Sequence, residues 1–148
     1  MVYIVSFIII GSIYIWQMRA EKIRAYYPIL IFSSLLGVVS DIVGVISNQW
    51  GYHGPTVGGL SLWSVLGIAP AEGGLFIRLF PKSKSLVLKI SYWVGWAILN
   101  TLGELLFVKA GWISYIHWNA LRAFWYYMFF FGLIWLQEYW YNGTGRLR

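Results

Sequence analysis

Cysteine is absent from the 148-residue chain, which excludes disulfides, thiol catalysis and cysteine-based metal sites. Charge is scarce as well. Asp, Glu, Lys and Arg together make up 11% of the residues, against roughly 25% in an average soluble domain. Long polar stretches are missing too, so no linker and no second, soluble domain is expected; residues 1–148 read as a single transmembrane domain. What fills the chain is apolar: 59% of it is hydrophobic and 20% aromatic. A span takes about 20 apolar residues, so the chain has room for roughly five or six.

Five apolar runs stand out, at about residues 2–18, 28–47, 60–80, 90–108 and 118–137. The expected fold class is therefore all-α, a polytopic integral membrane bundle of five transmembrane helices. The first run has no basic region before it and no small-residue cleavage site after it, so it reads as a retained helix and not a signal peptide. Pro28 opens the second run, where its missing N–H costs nothing. Ser33/Gly37 and Ser40/Gly44 give that run small-residue spacing suited to close helix packing. The third run carries Gly67, Pro70, Gly73 and Gly74 and is expected to be kinked or interrupted. Residues 48–59 and 109–117 read as loops. No internal repeat is legible, which leaves an inverted-repeat transporter without support.

Orientation follows from the basic residues. Arg19, Lys22, Arg24, Arg78, Lys82, Lys84, Lys89, Arg146 and Arg148 fall on one side of the five-helix arrangement, and Lys109 and Arg122 towards the other. Basic residues collect on the cytoplasmic side, so the N-terminus is expected outside and the C-terminus in the cytoplasm. The net charge of +6 then faces anionic lipid headgroups, and the bilayer, not nucleic acid, is the expected partner. Asn142-Gly143-Thr144 matches a glycosylation sequon, but this topology places it in the cytoplasm.

Ionisable residues inside a membrane are costly and point to function. Four fall within the runs: Asp41, Glu72, Glu104 and Arg122. Asp41, Glu104 and Arg122 lie at similar depths nearer the external face, and Glu72 lies near the middle of the broken third run. Asn100 and Glu104 are four apart and share a helix face, while Asn119 and Arg122 are three apart, with His117 and Trp118 at the mouth of the fifth run. A short loop joins runs four and five, so Glu104 and Arg122 are expected to pair. The bland readings are a structural ion pair for those two and a packing hydrogen bond for Asp41 beside Gly37 and Gly44. Glu72 has no cation at its depth, because Arg78 can snorkel to the surface. A carboxyl so placed is held as the neutral acid, able to act as a proton donor or carrier; its bland reading is a neutral Glu bonded to freed backbone carbonyls. His53 and His117 lack any helical ligand spacing with these acids, so neither a metal nor another cofactor is expected.

Phe80-Pro81-Lys82, Tyr92-Trp93, Glu104, Gly111-Trp112-Ile113-Ser114-Tyr115 and Trp118-Asn119 together give the chain its likeness to known sequences. Over Phe80 to Trp140, a little under half its length, it resembles an uncharacterised family of small multi-pass membrane proteins of Bacillus and Clostridium relatives. The resemblance implies a bacterial cell membrane, brings no activity with it, and implies that Glu104, Tyr115, Trp118 and Asn119 belong to one site. Pro70-Ala71-Glu72 with Phe76 looks like the P-x-E motif of the small membrane lycopene cyclases, in which an acidic residue is thought to protonate a polyene; Gly73 stands where that motif has a second acid.

The leading expectation is a polar, ionisable pocket in the outer half of the membrane that binds a lipophilic small molecule, with acid-catalysed chemistry on a prenyl-type lipid as its enzymatic version. Glu72 would then donate the proton, and Asp41 and Glu104 would stabilise cationic charge. Asn100, Asn119, Arg122 and His117 would contact the ligand, and Trp96, Tyr115 and Trp118 would supply aromatic faces. The alternative is a non-catalytic transport, sensing or assembly subunit, which predicts a homo-oligomer or a membrane partner.

Overall fold

A computed structural model describes residues 8–9, 11–12, 20–53, 56–62 and 64–142, the side chains of 20–24 and 142 excepted. The expected first helix lies outside these residues but for four positions, and so do Arg146 and Arg148. The described chain is mostly helical. Its elements are α1 (Ala20–Ile46), β1 (Trp50–Tyr52), a π-helical turn (Ser64–Ile68), α2 (Ala69–Leu79), α3 (Leu86–Lys109), β2 (Ile113–Tyr115) and α4 (Ala120–Asn142).

Several boundaries differ from expectation for local reasons. Pro28 lies inside α1 and does not open it. Membrane-type helices tolerate an interior proline because neighbouring groups satisfy the backbone it frees. The third run is shorter than a full span: the π turn and α2 cover Ser64–Leu79, about 24 Å of helix against the roughly 30 Å of a hydrocarbon core. Pro70 sits at the first turn of α2, and the π turn before it is where the helical hydrogen bonding changes register. Ser85 caps α3 by accepting the Leu88 N–H at 3.4 Å, so that helix begins one turn earlier than the apolar run.

Ala25–Ile46 of α1 and all of α3 are long and apolar enough to cross a membrane. Only 28% and 17% of their apolar windows are buried within the molecule, whereas the core helix of a soluble domain is mostly covered. Ile46, Leu86 and Val87 are 77%, 72% and 74% exposed. α4 matches them in length, with 23 residues, but its tyrosines, tryptophans, Gln137 and Glu138 lower its hydropathy.

The core gathers around Phe76, which is fully buried. Its ring packs on Phe131 at 4.7 Å between centroids, on Tyr92 at 5.5 Å and on Trp96 at 6.1 Å, in the tilted and edge-on geometries that aromatic quadrupoles favour. Ile29, Ile77, Phe130 and Ile134 complete the cluster. α1 crosses α2 closely: a Cβ at Gly73 would lie 2.8 Å from Ser33 Cβ, and one at Gly37 would lie 3.1 Å from Ala69 Cβ. Ser33 and Gly37 thus take the close-packing role their spacing predicts. Gly44 does not, because the Trp50 indole lies flat against it where a neighbouring helix was expected.

The two segments read as loops pair with each other. β1 and β2 are antiparallel, with Trp50 opposite Tyr115, Gly51 opposite Ser114 and Tyr52 opposite Ile113. The ribbon and the helix ends that lead into it correspond locally. At one constant offset, Asp41 matches Glu104, Asn48 matches Gly111 and Tyr52 matches Tyr115. Asn48 and Gly111 both hold positive φ, 53° and 75°, as the residue just past a helix requires in a Schellman cap. The cap bonds repeat, Gln49 N–H to the Gly44 carbonyl (2.8 Å) and Trp112 N–H to the Phe107 carbonyl (3.0 Å). So do the flanking ribbon bonds, His53 N–H to Trp112 O (2.8 Å) and Ile116 N–H to Gln49 O (2.9 Å). The ends of α1 and α3 and the strands that follow them are therefore related by a local pseudo-two-fold axis through the ribbon, whereas the helices beyond differ, α2 with 11 residues and α4 with 23.

Candidate functional site

Beneath the ribbon the helices leave a cavity of about 460 Å³, within the range of small-molecule sites. α1 supplies Asp41, α2 Glu72, and α3 Asn100 and Glu104. Aromatic rings from the ribbon and from α3 and α4 close it, Trp50, Trp96, Trp118 and Phe130 among them. Among the described residues that line it, none is Lys, Arg or His.

Each carboxyl has a different setting. Tyr52 donates its hydroxyl to Asp41 Oδ1 at 2.6 Å. Tyr115 donates to Glu104 Oε1 and Tyr127 to Glu104 Oε2, both at 2.7 Å. Both oxygens of Glu104 are thus satisfied, but only one of Asp41. Its Oδ2 is buried and meets no donor in hydrogen-bond geometry, although the Ser61 backbone approaches Asp41. The two ribbon tyrosines are the matched pair, each eleven residues beyond its carboxyl. Burial, reinforced by the Asp41 carboxylate, holds the Tyr52 hydroxyl well above its ordinary value. Burial and the Glu104 carboxylate do the same for Tyr115. Both phenols therefore stay protonated and serve as donors.

Of the ten residues singled out from sequence, six line this cavity: Asp41, Glu72, Trp96, Asn100, Glu104 and Trp118. Asn100 also donates its side-chain N–H to the Trp96 carbonyl at 3.0 Å. Tyr115 stands behind Glu104 and does not face the cavity. The remaining three lie outside it, in the ribbon's own scaffolding. Asn119 Oδ1 accepts the Arg122 backbone N–H at 2.9 Å, capping α4. His117 Nδ1 lies 3.0 Å from the Asn48 carbonyl at the end of α1.

The expected Glu104–Arg122 pair is not formed. Arg122 Nη1 donates to the His117 carbonyl and to Gln49 Oε1, the latter at 3.3 Å, while tyrosines occupy Glu104. Depth along a helix set that expectation, and azimuth defeats it: Arg122 is exposed on the ribbon side of α4.

Glu138 was overlooked because it lies just past the fifth apolar run. It is buried at the opposite end of the bundle, 3.6 Å from Lys82. Tyr52, Tyr126 and Tyr127 were missed as well. The signal for Tyr52 was present in the matching spacing of Asp41–Tyr52 and Glu104–Tyr115; the α4 tyrosines carried none, since they read as part of an aromatic run. Among the described residues, no three His, Asp or Glu side chains converge as metal ligands would. Set against protein-family models, curated proteins and solved structures, the chain matches none of them.

Proposed function

We propose that the protein is an integral membrane bundle of five helices, N-terminus outside, whose cavity binds a lipophilic small molecule in the outer half of the bilayer. One observation carries the reading: three carboxyls from three different helices line a single, largely apolar cavity. Burying a carboxyl costs several kcal/mol unless something compensates it. Packing alone gives no reason to spend three such groups on one space. The exposed apolar faces of α1 and α3 suit hydrocarbon, and the ribbon carrying Trp50 and Tyr115 suits the headgroup interface, where amphipathic rings collect. In the enzymatic version of this reading Glu72, the carboxyl that α2 brings to the cavity, is the proton donor; the substrate would be a prenyl-type lipid.

Native mass spectrometry of the gently purified protein, wild type beside Glu104→Gln, tests the proposal. A bound lipid or isoprenoid, lost in the variant, is the expected result. A stoichiometric protein partner or a homo-oligomer carrying no small ligand would overturn it in favour of an assembly or transport subunit.

A further inference from the structure

We infer that the cavity selects an organic cation, an amine or quaternary ammonium carried on an apolar body. This rests on the small-molecule reading above and names the ligand's class. Four features of the site argue for it. The three carboxyls of the cavity have no basic counterpart among the described lining residues, which leaves any ionised carboxyl there without the counter-charge it requires. Asp41 is only 6% exposed, lines the cavity, and leaves Oδ2 without a hydrogen bond. A buried acceptor of this kind is costly to leave unmade; a protonated amine would offer it an N–H, and a quaternary ammonium would compensate its charge alone.

The third feature is the wall. Trp50, Trp96, Trp118, Tyr126 and Phe130 line the same space, and aromatic faces attract a desolvated cation. The fourth is the spread of the acids. They sit on separate walls without converging as metal ligands would, which suits a bulky cation with diffuse charge better than a compact ion. The pseudo-two-fold makes the point again from the fold. It brings Asp41 and Glu104 to the cavity from equivalent positions, each anchored by its own ribbon tyrosine. Asp41 is the member of that pair with an oxygen that meets no donor in hydrogen-bond geometry.

The test uses two probes of nearly the same shape, methyltriphenylphosphonium (a cation) and triphenylphosphine oxide (neutral), with the full chain in dodecyl maltoside micelles. Equilibrium binding, corrected for empty micelles, is expected to favour the cation by about tenfold or more. Asp41→Asn and Glu104→Gln should each weaken the cation's binding far more than the neutral probe's, removing most of that preference. Glu138→Gln, which deletes an equivalent charge at the far end of the bundle, should change nothing. Displacement of the phosphonium by short-chain phosphatidylcholine would assign the cation to a lipid headgroup, and displacement by dodecylamine alone to a free lipophilic amine; either supports the inference. Equal affinity for the two probes would overturn it while leaving the lipophilic-ligand reading standing, because the wild-type comparison needs no variant to fold. Saturable binding of neither probe would also overturn it, and the lipid retained in native mass spectrometry then judges the broader reading separately.

Discussion

Three tyrosine hydroxyls decide how Asp41 and Glu104 are held. Tyr115 and Tyr127 clamp Glu104 between them, and Tyr52 holds Asp41 by one oxygen. Hydrogen bonds inside membrane bundles measure about 0.6 kcal/mol on average, whereas those to charged groups in water-soluble proteins reach about 1.5–3 kcal/mol. Tyr115→Phe and Tyr127→Phe should therefore each cost about 1 kcal/mol, and the double variant more than the sum, because it strips Glu104 of both donors. Unfolding by sodium dodecyl sulfate titration in mixed micelles, read by tryptophan fluorescence, gives the coupling; strict additivity would mean that the two phenols do not share the carboxylate. The acids themselves were legible as isolated charges in apolar runs. Their tyrosine partners were not, since a phenol in an aromatic-rich chain carries no mark of its neighbours until the ribbon folds back over the helices.

At the scale of elements, the crossing of α1 over α2 depends on the absence of a side chain at Gly73. A Cβ there would press into Ser33 and stand 3.3 Å from Ile134 Cδ1, and Ser33 is fully buried with its hydroxyl already donated to the Ile29 carbonyl at 2.8 Å. Overpacking a contact of this kind costs about 1–3 kcal/mol. Gly73→Ala should lose stability in that range, while Gly95→Ala on α3, where a Cβ would meet no atom within 4 Å, should be neutral or slightly stabilising because glycine is a poor helix former. Thermal melts of the two variants in the same detergent decide it; equal melting points would remove the close crossing from the account. The short ribbon is the element that sequence reasoning could not supply. Three-residue strands are too brief for an alternating pattern to register, and each strand pairs only with the other, far along the chain.

For the whole molecule, the proposed topology puts the ribbon outside and the α2–α3 turn, with Lys82 and Lys84, inside. The natural lack of cysteine makes this directly measurable. Thr56→Cys, in the segment after β1, should react with a membrane-impermeant maleimide added to intact cells. Ser83→Cys, in the α2–α3 turn, should react only after the membrane is opened. The reverse pattern would invert the bundle, and labelling of both from outside would remove α2 as a span. That last point matters because the π turn and α2 together are short for a full crossing, and the aromatic α4 relies on packing around Phe76 as much as on hydropathy.

The amino-acid sequence by itself determined that the chain is helical and apolar, and roughly where four helices fall, although α1 begins eight residues before its apolar run and α2 nine residues after the start of its own; it also marked which three carboxyls have no ordinary reason to be buried. These are properties of composition and of position along a single helix, so they can be read one segment at a time. Only the tertiary structure decided that Asp41, Glu72 and Glu104 share a cavity, that Arg122 turns away from them, and that the ends of α1 and α3 and the strands after them are equivalent. Each of those facts depends on the rotation of one helix against another and on a strand pairing between distant segments, and neither is encoded in any one stretch of residues.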